Sequence, residues 1–574
     1  MQRAIAVLVV SFVVAFGAPV GAEPETAGAG SVATSDSAVT IPTFAEQLRL
    51  QWSLIDLQPV PESRRYVETR DDTLKHLSLR DAVHAAIESN PAIASQRLGP
   101  VFARADVDRA NGAFDPTFEA TADWDRHVEP TSSVLSGAQI LREEETVFGA
   151  SLKKLLRTGT TLTVAARSDE LDSNSNFLGL RPQYKPAVDV TLAQPLLKNF
   201  GVDLTILLVR SAEATSNAAY YEYQSQTVSL VRQVVEAYWS IVRAKENLRS
   251  EQDGLTLARE LVKENQARVR AGSLPPVAVK EAEADAASRE ERVIAAENDV
   301  AVAKDRLRLL VQKNPQGAFL PRPIEPSDTP EVRDVEPNEV EILGNAITGR
   351  PELQRARYDI ENRKILARVK RNNLLPGLDV EGRYGLNGLS GHAVPQFDFQ
   401  SGETRFTRFS GDYGEAWQRL KSNDFNSYGA GVRLSVPIGN DTAKAEYTQS
   451  EIDVRRGELD YRELLAEITF EVRRAISDVR TNSKRITASR LARELAQENL
   501  SQQKKRYDVG LSTTKDLLDF QSRVTAARAA ETQALIDYNV SLAALRQAEG
   551  TLLTQFDVVL DTLPPSPKST WARF

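Results

Sequence analysis

The chain repeats itself, and that repeat limits its fold more than any other feature. "ESNPAI" at Glu88–Ile93 returns as "TGRPEL" at Thr348–Leu353, which sets Pro91 and Pro351 260 positions apart. The same offset lays "FDPTFEATADW" (Phe114–Trp124) on "LLPGLDVEGRY" (Leu374–Tyr384). Farther on, "DVTLAQP" (Asp189–Pro195) matches "GVRLSVP" (Gly431–Pro437), and "ARVRAGSLPP" (Ala267–Pro276) matches "KRYDVGLSTT" (Lys505–Thr514). A duplication of this length means that one architecture must serve twice. It divides the chain into a first unit, 77–333, and a second, 334–560, with 1–22, 23–76 and 561–574 outside them.

Each unit reads as helix, strands, long helix, glycine elbow, helix. In "LSLRDAVHAAIESNP" the apolar residues Leu79, Val83, Ala86 and Ile87 keep helical spacing. Past the proline the period changes to two. Phe118, Ala120, Ala122 and Trp124 alternate with Glu119, Thr121 and Asp123; Leu378, Val380, Gly382 and Tyr384 repeat the pattern. Val188, Val190 and Leu192 alternate in the same way against Asp189 and Thr191. A further strand pair, "VFGASLKKLL" and "TTLTVAARS" around Gly159 (146–168), occurs only in the first unit, and its place in the sheet is left open. The long segments are helical: Val202–Ala271 and Asn440–Leu563 hold no proline. A 70-residue helix rises about 105 Å. Its apolar stripe is narrow (Leu230, Val234, Ala237, Tyr238 and Ile241; Ile468, Val472, Ala475, Ile476 and Val479). That suits a coiled-coil seam or a hollow helical wall better than a solid core.

The start, "MQRAIAVLVVSFVVAFGAPVGAEPE", joins Arg3 to an apolar run from Ala4 to Phe16 and a small-x-small end, Val20-Gly21-Ala22. This predicts a cleavable secretory signal over 1–22. Residues 23–76 read as a loose periplasmic extension with a short helix near Phe44–Leu57. No cysteine is present, so disulfides, thiolate zinc sites and cysteine nucleophiles are excluded. The net charge of −8, with no basic domain, argues against a nucleic-acid partner. The four histidines lack ligand spacing, and no phosphate loop, H-E-x-x-H or G-x-S-x-G occurs. "GLNGLSG" (Gly385–Gly391) follows a strand and leads into a polar, aromatic loop, which is turn chemistry rather than nucleotide binding. No enzyme, cofactor or metal is expected.

An exported chain with so few strands cannot close a membrane barrel alone, because about eight strands are needed and open edges are not tolerated in lipid. Sister chains are therefore required. A duplicated helix–strand–helix chain with a signal peptide, Asn90-Pro91, "QPLL" (Gln194–Leu197) and two elbows resembles the TolC-type outer membrane efflux family (the outer membrane factors) over most of its length. "RYDVGLSTTKDLLDFQS" is the sharpest part of the resemblance. The fold it implies is an α+β membrane protein, with a long α-helical periplasmic barrel and a β-barrel closed by strands from three protomers in outer membrane lipid. The function it implies is a passive exit duct of a tripartite efflux or type I secretion system. Such a duct docks a periplasmic adaptor (membrane fusion) protein and an inner-membrane transporter of RND or ABC type. The rival class is a soluble periplasmic coiled-coil scaffold or adaptor; an adaptor would need lipoyl-like β-halves, and none is found.

The resemblance also assigns roles at the elbows. Val509, Gly510 and Leu511 match the tip that adaptors contact, with Ala271, Gly272, Ser273 and Leu274 as the first-unit counterpart. Asp516 and Asp519 match paired aspartates at the pore constriction. At i and i+3 they share a helix face, and three copies would stack them into two acidic rings. Tyr507 matches a tyrosine that latches neighbouring elbow helices. Its acidic partner would fall at Ala278 and the basic latch residue at Ser512, so the closing bonds must differ here. The same residues also read as helix punctuation. Thr513 and Asp516 form a capping box, and Gly510 is a left-handed C-cap. A capping acid can line a pore as well.

Overall fold

Two prolines set the frame of both units. The computed structural model describes residues 77–132, 137–311, 324–332, 335–397 and 402–560. The expected signal segment (1–22), the extension with its helix near Phe44–Leu57, and the tail (561–574) lie outside the described residues. In the first unit, helix α1 (Leu79–Ser89) stops at Asn90 and α2 (Pro91–Asn111) starts on the proline. Much later in the chain, α5 (Glu339–Gly349) stops at Arg350 and α6 starts at Pro351, running to Asn372. Asn90 (φ −72°, ψ 119°) and Arg350 (φ −71°, ψ 122°) share one extended conformation. Each precedes a proline ring that excludes the helical region, while the proline, which has no N–H to satisfy, suits the first helical position. The second helix of each pair is a difference from the two-residue alternation expected directly after the proline. The apolar residues of α2 fall on both its buried and its exposed sides, and α6 is mostly polar, so periodicity gives little sign of either.

The strands follow. β1 (Thr117–Pro130), β2 (Ile140–Leu155), β3 (Thr161–Ser173) and β4 (Leu180–Pro195) belong to the first unit. β5 (Gly377–Asn387), the short β6 (Ser390–Ala393), the small pair β7 (Gln396–Phe397) and β8 (Thr404–Arg405), and β9 (Asn426–Ser435) belong to the second. One antiparallel sheet runs β1-β2-β3-β4-β5-β9, with β6 pairing on β4. The hairpin peculiar to the first unit, β2–β3, is thus set inside the sheet. Its register is regular. Phe118, Leu152, Val164, Val190, Tyr384 and Tyr428 stand directly across from one another through all six strands. One residue along, Glu119, Ser151, Ala165, Asp189, Gly385 and Ser427 form the next row. Because side chains alternate faces, the first row belongs to an apolar face and the second to a polar one. Both edge strands, β1 and β9, are exposed along their whole length.

Gly385–Gly391 forms the end of β5, a turn and the start of β6, in keeping with turn chemistry. A side chain on Gly388 would run into the Ala416 carbonyl oxygen. The loop beyond was expected to be irregular, yet it holds helix α7 (Tyr413–Lys421), capped by Asp412 Oδ1, which accepts from the Glu415 N–H at 3.0 Å. Ala416 and Leu420 are its buried face, and Tyr413 meets Tyr184 edge-on at 5.5 Å.

The long helices are α3 (Leu207–Arg270, 64 residues) with α4 (Val277–Val311), and α8 (Asp441–Asp508, 68 residues) with α9 (Thr514–Glu549). They rise about 96 Å and about 102 Å for α3 and α8. The proline-free run predicted from Val202 breaks once, since a single turn, Val202–Thr205, precedes α3. All ten residues predicted for the two apolar stripes are buried. Those on α3 join one cluster with α1 and α4, around Val83, Ala86, Leu307 and Ile324. Those on α8 join a second, with α5 and α9, around Ile342, Ala346, Tyr538 and Leu545. A third, small cluster at the elbows (Leu261, Ala282, Tyr507, Leu517) draws on both units. Among the described residues no helix is long and apolar enough to cross a membrane.

Candidate functional site: the paired elbows

Both elbows end their first helix with the same backbone device. At the second, the Gly510 N–H donates to Tyr507 O (3.0 Å) and the Leu511 N–H to Arg506 O (2.8 Å). At the first, the Gly272 N–H donates to Val269 O (3.0 Å) and the Ser273 N–H to Arg268 O (2.9 Å). These paired bonds are the Schellman motif, whose central residue must be left-handed. Gly510 (φ +79°) and Gly272 (φ +73°) supply that conformation without the penalty a Cβ brings. The tips stand out into solvent: Val509 is 69% and Leu511 71% exposed, and Ala271, Gly272 and Ser273 are exposed beside a half-buried Leu274.

Helix α9 starts with a full capping box. The Asp516 N–H donates to Thr513 Oγ1 (3.2 Å), and Asp516 Oδ2 accepts from the Thr513 N–H (3.1 Å). The same oxygen takes the Thr513 hydroxyl at 2.7 Å and the Ser512 hydroxyl at 3.3 Å. These bonds, the Thr513 hydroxyl first, hold the Asp516 carboxyl below its ordinary pKa. Asp519 is exposed one turn on. The cap and the acidic face therefore coexist. A depressed carboxyl stabilises the fold above its unfolded pKa, and that contribution is lost as pH falls through the lowered value. Acidifying below the ordinary aspartate value of about 3.9 is expected to lower amide protection in the first turn of α9, measured relative to the intrinsic exchange rate at each pH. Protection that stays unchanged across that range would show that the cap holds no such stability.

Tyr507 is buried (2% exposed), and its hydroxyl donates to Asn265 Oδ1 on α3 of the first unit. Asn265, wholly buried, donates through Nδ2 to Ala278 O (3.1 Å) and to Thr514 Oγ1 (3.3 Å). Ala278 thus takes part only through its backbone, and Asn265 supplies the polar group its side chain lacks. Arg268 adds a second tie. Its guanidinium lies 4.9 Å from the Tyr507 ring centre, donates to Tyr507 O (3.3 Å) and pairs with Asp508 (3.2 Å) and with Glu264. Ser512, at the expected basic position, accepts from Gln503 Nε2 and donates to Asp516, so it serves the local cap. Sequence reasoning passed over Asn265 and Arg268. The signal for Asn265 was present: it follows Ala258 and Leu261 at helical spacing, a carboxamide on an otherwise buried apolar stripe.

A family profile described as outer membrane efflux protein matches residues 188–311 and 342–551, more than half of the chain. No curated protein matches. Among solved structures, the fold is similar to the CmeC outer membrane channel of Campylobacter jejuni, at 14% identity and a TM-score of 0.58 over 83% of this chain and 86% of that one. It is similar to the outer membrane protein VceC of Vibrio cholerae, at 16% identity and a TM-score of 0.58 over 82% and 96%. The open-state MtrE outer membrane channel of Neisseria gonorrhoeae is a further match, at 18% identity and 0.55 over 83% and 89%. At these identities the likeness is one of fold.

Proposed function

The chain belongs to the outer membrane efflux protein family, and on that premise we propose that it works as a homotrimeric exit duct. Its sheet lies in the outer membrane of a Gram-negative-type cell and its helices stand in the periplasm. The observation that carries this reading is the sheet itself. It has one apolar face in register over six strands and two exposed edges, β1 and β9, so it is a wall segment that needs further copies to close. Leu98, Val101 and Phe102 on α2 are 53%, 52% and 73% exposed and offer apolar surface for the same assembly.

The paired elbows form the periplasmic mouth. Asp516 and Asp519 of three copies make the acidic constriction, and Tyr507 belongs to the tie that holds the mouth shut. The exposed tips (Val509–Leu511 and Ala271–Leu274) meet a periplasmic adaptor, through which an inner-membrane transporter of RND or ABC type delivers cargo to a tripartite efflux or type I secretion system. Transport through the duct is passive, and the chain does no chemistry. Fractionated cells test the reading. The protein is expected in the outer membrane as a detergent-stable trimer, and soluble monomer in a periplasmic extract would refute it.

A further inference from the structure

The two repeats contribute unequally to the sheet. The second gives two full strands, β5 and β9; the first gives four, because β2–β3 is set between β1 and β4. The hairpin is no appendage. β2 pairs along the whole of β1, and β3 pairs with β4 from Thr161↔Ala193 to Leu171↔Gln183. It obeys the alternation of its neighbours. Leu152 and Val164 continue the row from Phe118 to Tyr428, while Lys153 and Thr163 continue the adjacent polar row from Thr117 through Thr191 and Arg383. Its turn reaches the base of the wall. A Cβ on Gly159 would meet Asn199 O at 2.7 Å, just where β4 gives way to the helices.

We infer that β2–β3 is membrane wall, so that three copies close a barrel of eighteen strands, where two strands per repeat would give twelve. This rests on the trimeric duct proposed above and adds the width of its outlet. With strands about 4.8 Å apart and tilted about 40°, eighteen strands give a backbone radius of about 18 Å and twelve about 12 Å. The cross-section roughly doubles. The outlet then sets no size limit that small solutes would notice, and selection by size falls to the elbows. Bulky peptide or polymeric cargo passes the outer membrane end as freely as a small molecule does.

Because the chain has no cysteine, single introduced thiols report side-chain exposure cleanly. Thr163→Cys and Val164→Cys probe β3, and Thr191→Cys and Val190→Cys probe β4 as reference. Intact cells are treated with a charged, membrane-impermeant maleimide. Thr163→Cys and Thr191→Cys are expected to react, and Val164→Cys and Val190→Cys to stay unlabelled until detergent is added. If the β4 pair behaves so but Val164→Cys reacts in intact cells, the hairpin is outside the wall and the inference fails while the duct stands. Electron microscopy of the purified trimer then counts strands: eighteen supports the inference and twelve overturns it. A chain that never forms a trimer overturns the duct reading and the inference with it.

Discussion

Replacing Asp516 and Asp519 together with asparagine is expected to leave the trimer intact, raise its monovalent conductance in a planar bilayer and weaken divalent-cation block by at least about tenfold, or about 1.4 kcal/mol. Both carboxylates stand on one exposed face of α9, and in the proposed trimer six of them converge on one constriction. A ring of like charges there holds divalent cations more tightly than monovalent ones. Asparagine keeps side-chain volume and can still accept a hydrogen bond at position 516, whereas alanine would also remove half of the capping box. The single variant Asp519→Asn separates the two roles, because none of the cap bonds involves Asp519. Unchanged block and conductance in the double variant would remove these residues from the constriction.

The second large effect is expected at Asn265. Asn265→Leu leaves the buried Tyr507 hydroxyl with only its 3.4 Å contact to Thr514 Oγ1, and it removes the Asn265 donor from that same Thr514 oxygen. A buried polar group left unmatched costs about 1–3 kcal/mol. The expected result is a mouth that opens more readily, with higher resting conductance and cells more permeable to large antibiotics. Tyr507→Phe alone strands Asn265 Oδ1 and should act in the same direction. The double variant, which is apolar on both sides, should disturb the elbow less than the sum of the two, since partners in contact are not additive. Additive effects, or resting conductance at the unsubstituted level in all three variants, would mean that the tie does not restrain the mouth.

Much of this architecture was legible from residues alone, and the reasons are physical. Strict alternation marks a strand with one wet and one apolar face, so β1, β4 and β5 could be read directly, and β9 followed from its match to the end of β4. The narrow stripes on α3 and α8 gave the buried residues of both unit cores. Helices α2 and α6 escaped notice because their apolar residues do not keep to one face, on α2 because both sides carry them and on α6 because few are present. The place of β2–β3 was hidden for another reason, since pairing order is set by contacts far apart in the chain. At the site, the capping box of Thr513 and Asp516 and the left-handed turn at Gly510 are local motifs and could be read from the sequence. The hydrogen bond between Tyr507 and Asn265 joins residues more than two hundred positions apart. Matching by position pointed to Ala278 in its place.

The distance between the unit cores and the elbows has a mechanical meaning. On α3 the first core cluster reaches Ile241 and on α8 the second reaches Ile486, and the helices then continue about 44 Å and about 33 Å to their last residues, with only sparser buried contacts such as Leu255, Ala258 and Leu261 on the way. Pivoting about those packed centres, a tilt of only about ten degrees carries a tip roughly 6–8 Å sideways. A long lever with a stiff fulcrum turns a small rotation, spread over many undistorted hydrogen bonds, into a displacement of several ångströms at the tip. Dilating such a mouth calls for breaking a few side-chain bonds at its end, while the helices themselves stay wound.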